Sequence, residues 1–404
     1  MATENNNKTL NVPNKREQSQ TCLYYAEHKD QSPQGNVPNL RFPEFSGVWT
    51  KTLLNNYLEE NKERNKRGIF TKNHVLSVSG DFGIVNQIEL LGRSFAGKSV
   101  LDYHVVRTGN IVYTKSPLKE YPYGIVKVNR GVDGIVSTLY AVYKVKETAN
   151  GKFVEYYFGL PNRTNRYFKP IVRIGAKHDM KIGNDEVLAN YVVFPCVDEQ
   201  KRISDFICLL DERIATQIKI IEKLESLIKG LCQKLTQQDN PNTALNETLV
   251  CYSSTLQESS VQEVGDYPVY GATGVCGYTD APEVDGDSIL IIKDGASVGV
   301  TYYASGKYSA IGTLNRIVAK RGYSLRYLYY CLKVFNFAPY RTGLAIPHIY
   351  FRDYGKAKVW CPSLDEQQRI ADALSKVEQK IAIEKSLLEQ LYSQKRFLLQ
   401  AMFI

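Results

Sequence analysis

The sequence predicts an α+β protein: two tandem domains with central β-sheets, separated by two long helices that form an antiparallel intramolecular coiled coil with pseudo-two-fold character. Three observations predict it. Pro195-Cys-Val-Asp-Glu-Gln-Lys-Arg-Ile203-Ser-Asp205 returns as Pro362-Ser-Leu-Asp-Glu-Gln-Gln-Arg-Ile370-Ala-Asp372, displaced by 167 residues. Apolar residues at heptad spacing follow both copies, and glycine-punctuated β-branched runs precede both. An internal repeat decides architecture first, because each copy marks one structural unit.

The elements follow in order. Residues 1–36 are rich in Asn, Gln, Lys and Ser and are expected to be mostly disordered. A first domain is expected over 37–197, opening at the aromatic cluster that ends in Phe45 and Trp49. It should hold a short helix from Leu53 to Lys66 and strands at Val75–Val78, Asn110–Tyr113, Ile135–Tyr143 and Tyr191–Phe194. A second domain over 241–364 repeats the plan. Gly109–Lys115 is echoed by Gly286–Lys293 and Ser137–Leu139 by Gly312–Leu314, while Gly175 and Gly343 lie 20 and 19 residues before Pro195 and Pro362.

The helices occupy 198–240 and 365–404. In the first, Ile207, Ile214, Ile221, Ile228 and Leu235 fall seven apart, interleaved with Ile203, Leu210, Gln217, Leu224 and Leu231. The second gives Leu374, Ile381, Leu388, Lys395 and Met402, with Ile370, Val377, Glu384, Leu391 and Leu398. At about 1.5 Å per residue each rod is about 60 Å long. Two matched seams in one chain pair naturally with each other. An antiparallel pairing brings Gln217 and Glu384, the polar interruptions at the same heptad position, face to face as a register-setting pair.

Composition bounds the function. The 404 residues are 43% hydrophobic and carry a net charge of +9. That surplus is concentrated at +8 in residues 44–197, and the two helical segments are close to neutral. A basic excess on one domain fits a polyanionic partner. Eight scattered cysteines without a C-x-x-C pair suit reduced thiols in a cytoplasmic protein. No signal-peptide pattern or membrane-length apolar run is present, so a soluble protein is expected.

Catalytic constellations are missing. Gly92-Arg-Ser-Phe-Ala-Gly97-Lys98-Ser99 matches the phosphate-loop pattern, but β-branched residues follow where that loop needs a helix. Glu60-Asn-Lys62 has nuclease-like spacing without the rest of a nuclease motif, and the five histidines show no metal-ligand spacing. What remains is basic and aromatic. The candidate DNA contacts are Lys115, Arg163, Arg166, Lys169 and Lys177 in the first domain. In the second they are Tyr270, Lys293, Lys320, Arg321, Arg341, Thr342, Gly343 and His348, which supply the fork donors, hydroxyls and close-approach backbone that phosphates and base edges require.

The repeated Asp-Glu-Gln-Lys/Gln-Arg-Ile, its preceding proline, the heptads behind it, Tyr267–Gly274 and Thr342–Tyr350 together resemble the specificity subunit of type I restriction-modification systems. The resemblance covers the chain from Leu40 onward. It implies two target-recognition domains, each reading half of a bipartite double-stranded DNA site, spaced by antiparallel helices, with no active site and no bound cofactor. It implies two adenine-methylating modification subunits that use S-adenosylmethionine, restriction subunits that use ATP and Mg2+, and a prokaryotic cytoplasmic setting. The first domain departs from the pattern in lacking the proline of the Gly-Leu-Ala-Ile-Pro loop. Rival readings are an enzyme using Lys98, whether a nucleotide hydrolase or a single-chain restriction-methylation protein, and a coiled-coil scaffold without DNA contact.

Overall fold

The structure, a computed structural model, describes residues 35–404 apart from Lys98, Lys119, 175–179 and Leu344. Nearly all of the stretch expected to be disordered, the candidate Lys177 and the lysine of the apparent phosphate loop lie outside the described residues. The chain divides into two compact units, Met1–Arg213 with Leu391–Ile404, and Ile214–Gln390.

In the first unit the strands are β1 (Thr50–Leu53), β2 (Leu58–Glu60), β3 (Leu76–Ser79), β4 (Gly83–Asn86), β5 (His104–Val106) and β6 (Ile111–Thr114). They continue as β7 (Val126–Val128), β8 (Gly134–Val136), β9 (Tyr140–Val145), β10 (Arg173–Ile174), β11 (Met180–Lys181) and β12 (Tyr191–Phe194). The helices are α1 (Gln87–Leu91), α2 (Gly151–Tyr157) and α3 (Pro161–Phe168). An antiparallel sheet of order β2-β9-β6-β7 forms the centre. Leu76, Ile84, Val106, Val136, Val112 and Val142 pack the small pairs β3-β4 and β5-β8 into one core with it.

The helix expected over Leu53–Lys66 is absent. That stretch is the end of β1, a 3-10 turn at Leu54–Asn56, and then β2. Leu54, Tyr57 and Leu58 have helix-like spacing and are all buried, but β2 gains its ladder from Tyr143–Val145 of β9, far along the chain. The run read as one strand over Ile135–Tyr143 is likewise two strands, β8 and β9, broken at Ser137–Leu139.

The second unit holds β13 (Thr243–Ala244), β14 (Leu249–Ser253), β15 (Tyr267–Gly271), β16 (Gly274–Thr279) and β17 (Val284–Asp285). They are followed by β18 (Ser288–Ile292), β19 (Thr301–Ala304), β20 (Lys307–Ala310), β21 (Leu314–Ala319) and β22 (Lys358–Val359). Its sheet β14-β21-β18-β19 repeats the order and antiparallel sense of β2-β9-β6-β7 strand for strand. The echoed segments sit at matching places: Lys115 N–H bonds Leu139 O as Lys293 N–H bonds Thr313 O. Each unit also pairs its first strand with its last, β1 with β12 and β13 with β22.

Two long helices, α4 (Val197–Thr236) and α8 (Leu364–Ala401), contribute to both units. Three short ones intervene in the second unit: α5 (Leu245–Thr248), α6 (Leu325–Lys333) and α7 (Phe351–Tyr354). The heptad seams are inside: Ile203, Ile207, Ile214, Ile221, Ile228, Ile370, Leu374, Ile381 and Leu398 are all buried. Within each unit the two helices run antiparallel. In the first, Lys395 pairs with Asp211 at 2.5 Å, and in the second Lys385 pairs with Glu225 at 2.6 Å.

Gln217 and Glu384 meet inside the second unit. Gln217 donates to the backbone carbonyl of Glu384 at 3.1 Å and also to its carboxylate, which Lys380 approaches to 2.5 Å. Lys380 first, and Gln217 next, hold the Glu384 carboxyl below its usual value of 4.5. A depressed carboxyl contributes stability that is present above the unfolded-state value and lost as pH falls through the folded-state value. Unfolding of the second unit should therefore be increasingly acid-sensitive below about pH 4.5, and Glu384→Gln should flatten that limb. Thermal melts from pH 6 to 3 check it; identical acid slopes for both proteins would contradict the assignment.

The repeated motif has a defined structural task. Gln200 accepts from Asn150 N–H at 2.9 Å and donates to Pro195 O at 2.9 Å; Gln367 accepts from Ser324 N–H at 3.0 Å and donates to Pro362 O at 2.8 Å. Asn150 and Ser324 are the N-caps of α2 and α6. Each motif glutamine thus ties a long helix to the start of its unit's own helix. One step along, Tyr156 of α2 bonds Asp211 at 2.7 Å and Tyr330 of α6 bonds Glu378 at 2.8 Å, so the tie is made twice per unit.

Candidate nucleic-acid interface

The sequence after the central strand and the segment preceding the last strand meet at one end of each sheet. In the second unit Ile349 N–H bonds Lys293 O at 3.0 Å and Gly295 N–H bonds Pro347 O at 2.9 Å. Thr342 and His348 exchange two backbone hydrogen bonds of 2.8 Å, closing a hairpin with five residues at its tip. Arg341 donates to Val298 O at 3.1 Å, and His348 lies 3.6 Å from Asp294. Lys293, Arg341, Thr342, Gly343 and His348 are therefore brought together. Tyr270 belongs to the second sheet, β16-β15-β20-β17, where its carbonyl accepts from Ile311 N–H just before the Thr313 that Lys293 bonds.

Lys320 and Arg321 are not part of this face. They follow β21 at its far end, and six residues at about 3.3 Å put roughly 20 Å between them and Thr313. Lys320 Nζ there donates to Asn246 O at 2.7 Å.

The first unit builds the same feature with different residues. Strands β10 and β11 pair Ile174 with Met180 on either side of 175–179, as Thr342 pairs with His348. Lys115 does not face solvent as a free cation, as a DNA contact would. Its Nζ donates to Ile182 O at 2.9 Å and Asn184 Oδ1 at 2.6 Å, and burial lowers its pKa. Asn184 passes the contact on to Glu60 at 2.7 Å, while Tyr143 donates to Asn184 O at 2.9 Å. Lys115 fixes the base of the hairpin. Arg163 is also internal: it stacks 5.2 Å from Tyr157 and 5.3 Å from Phe403, and donates to Leu399 O at 3.3 Å. Its partners in the last turn of α8 lie over 230 residues away, which is why the sequence presents it as a surface charge. Arg166 and Lys169 of the α3 region are exposed.

Several residues of this face escaped the sequence reading. Arg173 and Lys181 are exposed and directly opposite each other across β10-β11. Their strands are two residues long, too short for any periodic signal. In the second unit Arg352 stacks 4.7 Å from Tyr350, itself 5.5 Å from the His348 ring.

The chemistry of the site is that of contact. Gly92 caps α1 with a φ of +73°, and the loop that follows runs into β5, so the apparent phosphate loop has a helix before it and a strand after it. The phosphate-binding arrangement requires the opposite order. Among the described residues no group of His, Cys, Asp and Glu could hold a metal. His104 is buried, and burial first, then the Arg64 charge, lower its pKa to about 4, which leaves it neutral above that pH. No helix among the described residues is long and apolar enough to cross a membrane.

Comparison with known proteins agrees with this geometry. Residues 252–393 match the family model of the type I restriction modification DNA specificity domain. The EcoprrI type I restriction enzyme specificity subunit of Escherichia coli is 26% identical over 110 residues, 27% of this chain and 27% of that protein. A Haemophilus influenzae protein named as a type I restriction enzyme specificity subunit is 28% identical over 123 residues, 30% of this chain and 31% of its own length. The chain thus matches less than a third of either relative. In fold, the S subunit of a type I restriction-modification system from M. genitalium superposes with a TM-score of 0.59 at 16% identity, covering 91% of this chain and 99% of that one. Residues 252–393 thus match a type I restriction modification DNA specificity domain, and the fold of the chain is similar to that of the S subunit from M. genitalium.

Proposed function

We propose that the chain is the DNA-sequence-recognition subunit of a type I restriction-modification complex, each unit reading one half of a bipartite site. In this reading it docks two adenine-methyltransferase subunits and restriction subunits, and S-adenosylmethionine, ATP and Mg2+ belong to those partners. The observation that carries the proposal is the hairpin repeated at the same sheet end of both units and flanked by cations. Like charges directly opposite on paired strands repel. The exposed Arg173–Lys181 pair is therefore a place where an anionic ligand relieves a cost the free protein bears. DNA phosphates supply that charge, and base edges are then within reach of the hairpin tip. On this reading Arg166, Lys169, Arg173 and Lys181 serve the first unit, and Lys293, Arg341, Thr342 and His348 the second.

Methylated adenines mapped across the host genome, with and without the gene, test the proposal. A two-part motif methylated only when the gene is present is expected; unchanged methylation in both strains would end the reading. Removing the facing central heptads, 214–220 and 381–387, shortens each helix by about 10 Å. The gap should then change by about three base pairs at ~3.4 Å each while both half-sites stay the same.

A further inference from the structure

Ile346 is 63% exposed at the tip of the second unit's hairpin. A single exposed isoleucine is ordinary on a protein surface. What distinguishes this one is how rigidly it is presented. The hairpin is closed by the paired Thr342–His348 hydrogen bonds, by Thr342 Oγ1 to His348 O at 3.2 Å, by Gly295 N–H to Pro347 O and by Ile349 N–H to Lys293 O. Gly343 has a φ of +88°, and a Cβ there would lie 2.4 Å from Ile346 O, so the turn exists only with glycine. Pro347 fixes the backbone on the other side. Around the tip stand Lys293, Arg341 and Arg352. Two acids stand beside them, Asp294 at 3.6 Å from His348 and Asp353 at 3.8 Å from Arg352.

We propose that Ile346 is an apolar wedge that enters the DNA duplex and opens one base step, with Lys293, Arg341 and Arg352 on the flanking phosphates. This rests on the DNA-recognition reading above. Unstacking a step costs a few kcal/mol, and isoleucine and proline are among the residues that do it. A flexible loop would fold away under that load, whereas a glycine-locked, hydrogen-bonded hairpin holds its side chain in place. Apolar contact with a thymine methyl, the other use of an exposed isoleucine on DNA, needs no such rigidity.

The test uses the chain assembled with its modification subunits and a duplex carrying the mapped site. 2-Aminopurine is placed in turn at each position of both half-sites except the methylated adenine. Wild-type protein should raise the fluorescence several-fold at one step. Ile346→Ser should abolish the rise and weaken site binding about tenfold, with the salt dependence unchanged because the phosphate contacts remain. Gly343→Ala, which keeps the isoleucine and breaks the turn, should do the same. The wedge is overturned by an undiminished rise in Ile346→Ser, by no rise with wild type bound, or by thymine-to-uracil replacement reproducing the Ile346→Ser loss. A wild-type complex with no preference for the mapped site would overturn the recognition reading and the wedge with it.

Discussion

Arg41→Ala is expected to destabilise the first unit by about 3 kcal/mol, because removing one partner of a buried ion pair strands the other charge. Glu199, in the first repeat of the motif, is 1% exposed. Arg41 grips its carboxylate with two hydrogen bonds of 2.7 Å, and Trp49 Nε1 adds a third at 3.3 Å. The same guanidinium donates to Ser46 O at 3.1 Å, so it also holds the entering chain against α4. Calorimetry should show the first unit's transition lowered by roughly 6 to 12 °C, from about 2 to 4 °C per kcal/mol at this size. Adding Glu199→Gln to the Arg41→Ala background removes the stranded charge and should recover part of the loss. A melting point within a degree of wild type for Arg41→Ala would show that the pair contributes little.

The second large effect lies at the two motif glutamines. Gln200→Leu and Gln367→Leu each leave a helix-capping N–H without its acceptor in the interior, where an unmet hydrogen bond costs about 2 kcal/mol. Gln200 and Gln367 are 0% and 2% exposed, so water cannot take over the role. By hydrogen exchange, the Asn150 amide should open about 30-fold faster in the first variant and the Ser324 amide by a similar factor in the second, since 1.4 kcal/mol is tenfold. Equal effects are the informative result, because they would show one joint built twice. An effect confined to one unit would mean that the repeated glutamine has drifted to different duties.

Much of this architecture is legible in the sequence because it is written in local periodicity. The seams of α4 and α8 repeat every seven residues, and the echo of Gly109–Lys115 in Gly286–Lys293 located the matching central strands β6 and β18. What was not legible depends on partners distant along the chain. Leu53–Lys66 reads as a charged amphipathic helix until β9 offers it a ladder. Arg163 reads as a surface cation until the last turn of α8 comes back to meet it. Lys115 reads as a DNA contact until Asn184 takes its ammonium. What the motif glutamines bond is not visible in the motif itself, because Asn150 and Ser324 lie 50 and 43 residues away. The hairpins escaped for a different reason: strands of two residues, or a single bridge, are too short to show alternation.

The doubled tie between each unit and its long helix carries one more consequence. A cap residue meeting a glutamine and a phenol meeting a carboxylate recur as Asn150–Gln200 with Tyr156–Asp211, and as Ser324–Gln367 with Tyr330–Glu378. The mounting is standard while the mounted parts differ nearly everywhere else. Such a fitting frees the sheet ends to diverge without renegotiating their attachment, and either head could be seated on either post. Exchange of a whole unit, like change at single positions, then leaves the joint intact.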